Sequence, residues 1–84
     1  MKIEEIKAGQ PMRVGEITLV PIEHTFVSCE SMEGGVVVRG SKGLAGIVVV
    51  SEKNRYAIDL TGEEVAMNRY LTQVPELARL LDRL

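Results

Sequence analysis

The sequence predicts an α+β domain: a small sheet of about four mainly antiparallel strands with two short C-terminal helices packed on it. Three observations carry that expectation. β-Branched runs dominate up to residue 60, in ITLVPIEHTFVS (17–28), VVV (36–38) and IVVVS (47–51). Beyond Thr61 the apolar residues recur at three- and four-residue steps instead. The length of 84 residues suits a single domain, 1–84, and Val, Ile and Leu make up close to a third of it, enough for a folded core.

Residues 1–16 mix charge with Gly9, Pro11 and Gly15. Ile3 and Ile6 have the spacing of one short helical turn, which Gly9-Gln10-Pro11 would stop. In the first strand, 17–28, Ile17 and Leu19 point one way and Val20, Ile22, His24 and Phe26 the other. A bulge or bend near Val20-Pro21 would reconcile the halves, and Pro21, with no N–H, is expected at an edge or a bulge. Gly34-Gly35 is the next turn, and residues 39–46, RGSKGLAG, read as an irregular glycine-rich loop. The strongest hairpin signal follows, with 47–51 turned by Glu52-Lys53-Asn54-Arg55 into YAIDL, 56–60.

Thr61 and Glu64 have the spacing of a capping box, so Thr61 is expected to cap a first helix. Its apolar stripe is Met67, Tyr70, Leu71 and Val74. Pro75 suits the start of a second helix, whose stripe is Leu77, Leu80, Leu81 and Leu84. Together the two stripes give more apolar surface than one narrow sheet face needs. One helix is therefore expected to cover the sheet while part of the second, with Leu77, Leu80, Leu81 and Leu84, forms the subunit interface.

Ten basic and twelve acidic residues leave a net charge of −2. That balance opposes nucleic-acid binding, for which Arg39, Lys42, Lys53 and Arg55 would have to converge. No apolar run approaches the ~20 residues of a membrane span, and no secretory signal is visible. One cysteine cannot cross-link its own chain, so the expected location is the cytoplasm.

Candidate chemistry is sparse. The run Gly40-Ser41-Lys42-Gly43 is glycine-rich, as phosphate loops are, but it feeds a strand rather than a helix N-terminus. Arg39, Gly40, Ser41, Lys42 and Gly43 are nonetheless the best candidates for holding an anion or small ligand. His24 and Cys29 have neither metal-ligand spacing nor a third orienting group, so no metal, cofactor or catalytic residue is expected. Asp59, Glu63 and Glu64 are neighbours in sequence, which does not give two carboxylates the distinct environments that acid–base chemistry needs.

Gly9-Gln10-Pro11, then Gly15-Glu16-Ile17-Thr18-Leu19-Val20-Pro21-Ile22, then a glycine-containing middle leading into Ile47-Val48-Val49-Val50, resembles the GerW/YtfJ-type sporulation-protein family over residues 9–50. The resemblance implies a small cytoplasmic non-enzymatic protein and carries no chemistry onto named residues. A chain this short buries only about 60–65% of its unfolded surface, and association is a common remedy. The expected function is therefore a non-enzymatic, self-associating domain, most simply a homodimer, with a structural or protein-binding role. The second reading is an anion- or small-molecule-binding domain centred on 39–46.

Overall fold

The computed structural model describes residues 1–84 as six strands followed by two helices: β1 (Lys2–Ala8), β2 (Met12–Val14), β3 (Ile17–Met32), β4 (Gly35–Val50), β5 (Arg55–Asp59), β6 (Glu64–Val65), α1 (Met67–Gln73) and α2 (Leu77–Asp82). The strands form one sheet in the order β1-β3-β4-β5-β6, with β2 also paired to β3, and every pairing is antiparallel. The expected α+β architecture is present, with six strands rather than four.

The residues expected to make a helical turn form β1, which pairs along β3 from Lys2↔Ser28 to Ala8↔Ile22. Ile6 packs against the core and Ile3 lies exposed, as strand alternation requires of residues three apart. A strong partner strand outweighs the weak local helical spacing. Pro21 sits in the central strand β3 rather than at an edge. Its backbone points to the gap between β1 and β2, where Gly9 N–H donates to the Pro21 carbonyl at 2.8 Å, so the missing proline N–H breaks no ladder bond. No bulge is needed at Val20-Pro21, because both faces of the sheet are apolar there. The register shift lies at Ile22/Glu23, opposite Ala45 in β4.

The core is one cluster formed by Val20, Ile22, Val48, Val50 and Ala57 from the sheet and Tyr70, Val74, Leu77 and Leu81 from the helices. Val20, Val48 and Ala57 are direct cross-strand neighbours, which fixes the face the helices cover. Gly46 makes that packing possible. The Tyr70 hydroxyl reaches over it to the carbonyls of Ile58 at 3.3 Å and Ala45 at 3.5 Å, leaving no room for a side chain at position 46. The hairpin expected between 47–51 and 56–60 is β4–β5, with Ile47↔Ile58 and Val50↔Arg55 in register. Arg55 then donates from Nη2 to the Leu81 carbonyl at 3.1 Å, tying β5 to the end of α2.

Thr61 caps no helix. Helix α1 begins at Met67, its N-cap residue is Ala66, and no side chain bonds its first turn. Asp59 takes the role instead, for the turn between β5 and β6. Its Oδ1 accepts from the Thr61 N–H at 2.8 Å, the Thr61 hydroxyl at 2.6 Å and the Glu63 N–H at 3.2 Å. Gly62, at φ 87°, supplies the left-handed residue this turn requires.

These bonds, the Thr61 hydroxyl first among them, hold the Asp59 carboxyl below its ordinary pKa of 3.8. A carboxylate with a lowered folded-state pKa stabilises the fold fully above its unfolded value and loses that contribution as pH falls through the folded value. Asp59→Ala should therefore lower the melting midpoint at pH 6, and the gap between variant and parent should narrow as pH falls below 3.8 and through the lowered folded-state value. Melting curves at stepped pH check this; a gap that stays constant into acid would remove Asp59's charge from the account.

Candidate functional site

The long strands β3 and β4 run past the helices as an arm, which gives the molecule extents of 57 × 25 × 22 Å. The arm turns at Glu33-Gly34, where Gly34 takes φ 91° between the paired Met32 and Gly35. Strand β1 flanks it on one side up to Ser28. None of its residues from Glu23 to Leu44 is buried. Near the tip Met32, Val36 and Val38 are 59%, 62% and 66% exposed.

The other side of the arm is open. Strand β5 pairs with β4 only over residues 46–50, so from Gly35 to Ala45 the outer edge of β4 has no partner strand. The direction of each backbone group follows from the ladder. Cys29 N–H donates to the Met1 carbonyl at 2.7 Å, so the odd-numbered backbone groups of β3 face β1 and the even-numbered ones face β4. Ser28↔Arg39, Phe26↔Ser41 and His24↔Gly43 are then the hydrogen-bonded pairs. Val36, Val38, Gly40, Lys42 and Leu44 point their N–H and C=O groups outward.

Edge strands of single-chain proteins are usually blunted by charge, proline or a covering loop. Here the only charge on the outward-pointing positions is Lys42, and its ammonium is drawn back across the arm to Glu23 Oε2 at 3.2 Å. The sheet face opposite the helices carries the half-buried Leu19, Ile47 and Ile58 and the exposed Tyr56 around a buried Val49.

The residues expected to hold an anion, Arg39, Gly40, Ser41, Lys42 and Gly43, are part of β4 and exposed. The glycine-rich stretch is a strand because its ladder partner, β3, is continuous through Met32; an exposed arm needs no apolar period, so its sequence shows none. A strand points alternate amides to opposite sides, so these residues form no converging N–H cradle. Arg39 and Lys42 stand on opposite faces, with Lys53 and Arg55 at the far end of β4, so the basic residues do not meet. Of the four leucines expected at an interface, Leu77 and Leu81 are buried in the core of their own chain, Leu80 packs beside it, and Leu84 is 44% exposed. The aliphatic sheet face between β3 and β5 absorbs the helix stripe.

His24 and Cys29 project from opposite faces of β3, about 17 Å apart along the strand. No three His, Cys, Asp or Glu side chains cluster as metal ligands would. A shallow cleft of about 430 Å³ lies between α2 and the β1–β2 link, with Glu76, Arg79 and Arg83 on its rim. No helix is long and apolar enough to cross a membrane.

These features define a small α+β domain with a projecting β-arm whose edge is unpaired. Comparison of the chain with protein-family models, with curated proteins and with solved structures finds no match.

Proposed function

We propose that this protein is a non-enzymatic, self-associating structural domain of the cytoplasm, and that the arm is its interaction surface. One observation carries the reading: an arm of β3 and β4, flanked by β1 on one side only, extends beyond a core that lies elsewhere, with an unpaired outer edge and exposed valines. Ordering each arm residue costs about 1–2 kcal/mol of backbone entropy, and an arm with no buried side chain recovers little of that within its own chain. A second copy laid on the edge supplies the missing hydrogen bonds and apolar contacts. The resemblance to the GerW/YtfJ-type family agrees with a non-enzymatic role, and residues 9–50 comprise β2, β3 and β4. The anion-binding reading is the weaker one, since the loop it invoked is a strand.

Light scattering tests the proposal. At micromolar concentration the parent chain should weigh about twice its 9.2 kDa mass. Val36→Lys with Val38→Lys should halve that mass while leaving the circular dichroism spectrum unchanged, because both side chains are exposed. A parent that is monomeric at high concentration overturns the proposal, and a variant that stays dimeric removes the arm from it.

A further inference from the structure

Given that self-association, we infer that two copies join edge to edge through β4, antiparallel, about a two-fold axis at Gly40. The free edge fixes the centre. It is bounded by the Glu33-Gly34 turn at one end and by the end of β5, at Asp59↔Gly46, at the other. Its midpoint is Gly40, whose N–H and C=O both point outward. A two-fold there pairs Gly40 with its own copy and uses every free position from Gly35 to Ala45. The outward groups then make about ten main-chain hydrogen bonds, as many as an ordinary protein interface carries.

Side-chain complementarity selects the same register. About Gly40, Val36 lies opposite the second copy's Leu44, apolar on apolar, and Leu44 is 43% exposed in the single chain. Arg39 lies opposite Ser41, which accepts from a guanidinium. Lys42 lies opposite Val38 and keeps its ion pair with Glu23. An axis at Arg39 would set two guanidinium groups directly against each other, which is destabilising. An axis at Val38 would shorten the ladder and leave Leu44 uncovered. Gly40 itself fits an extended strand, since even an added Cβ would meet nothing closer than the Phe26 carbonyl at 3.5 Å. The product is a continuous sheet, β1-β3-β4 of one copy running into β4-β3-β1 of the other.

Disulfide trapping reads the register. In a Cys29→Ser background, Arg39→Cys with Ser41→Cys brings opposed non-hydrogen-bonded positions to about 4.5 Å between Cα atoms, within disulfide reach. That variant should convert to a covalent dimer on mild oxidation. Val36→Cys, about 27 Å from its copy, should not. Gly40→Pro, which removes only an outward N–H, should halve the parent's mass and keep its dichroism spectrum. A parent dimer with no 39–41 cross-link, or one that survives Gly40→Pro, overturns the edge pairing and moves the interface to the sheet face opposite the helices, around Tyr56. A monomeric parent overturns the self-association on which this inference rests.

Discussion

Leu77→Ala is expected to destabilise the domain by about 2–5 kcal/mol, the range for emptying a fully buried leucine site. Leu77 is completely inaccessible and belongs to the cluster that joins α2 to Val20, Ile22 and Val48. A chain of this length has a total stability of roughly 4–13 kcal/mol, so the loss is a large share of the whole. Helix α2 has only six residues and cannot persist without this contact. Urea unfolding should show the midpoint shift, and the shift should not vary with protein concentration beyond the parent's own dependence, because Leu77 contacts its own sheet. A change below about 0.5 kcal/mol would mean that α2 does not pack as described.

Gly46→Ala is the second large effect. An added Cβ would lie 2.6 Å from Tyr70 Cζ and 2.7 Å from the Ile58 carbonyl oxygen, and it would also press on the Tyr70 hydroxyl. One of those opponents is backbone in the neighbouring strand, which cannot rotate away. Overpacking of this kind costs about 1–3 kcal/mol, and the rigid carbonyl puts this site at the upper end. Tyr70→Phe in the same chain should recover part of the loss, since it removes the hydroxyl but not the Ile58 contact. Full tolerance of alanine at 46 would show that the tyrosine does not cross the sheet there.

The parts of the fold legible in the sequence are those whose residues have two environments. The two helix stripes alternate between core and solvent, so their periods survive in the sequence and both helices follow. YAIDL alternates enough to mark the β4–β5 hairpin but not its core face, since the small Ala57 is buried while the larger Tyr56 and Leu60 are exposed. Residues 39–46 carry no such record, because both faces of the arm are wet. Their glycines read as a loop although β3 holds them in a strand. Gly46 is the exception in that run: its glycine is demanded by Tyr70, 24 positions away, and no local pattern shows it. The β1 segment misleads for a related reason, since Ile3 and Ile6 have helical spacing while only Ile6 meets the core. The Thr61–Glu64 spacing does mark a turn, but Asp59 two residues earlier is its acceptor. Asp-x-Thr-Gly, read as a side-chain-capped turn, was the available signal. The helix leucines look available for an interface because leucine is apolar at every position; that Leu77 and Leu81 are buried against their own sheet depends on contacts a single sequence does not reveal.

The central claim, that β4's outer edge is covered by a second copy, is tested most directly by amide hydrogen exchange on the unmodified chain. In a single chain the amides of Arg39, Ser41 and Gly43 are bonded to β3, and those of Val38, Gly40 and Lys42 face water. Edge pairing predicts protection at both sets, with protection at Val38, Gly40 and Lys42 rising with protein concentration. Alternating protection along β4, with Gly40 exchanging freely at every concentration, would contradict it.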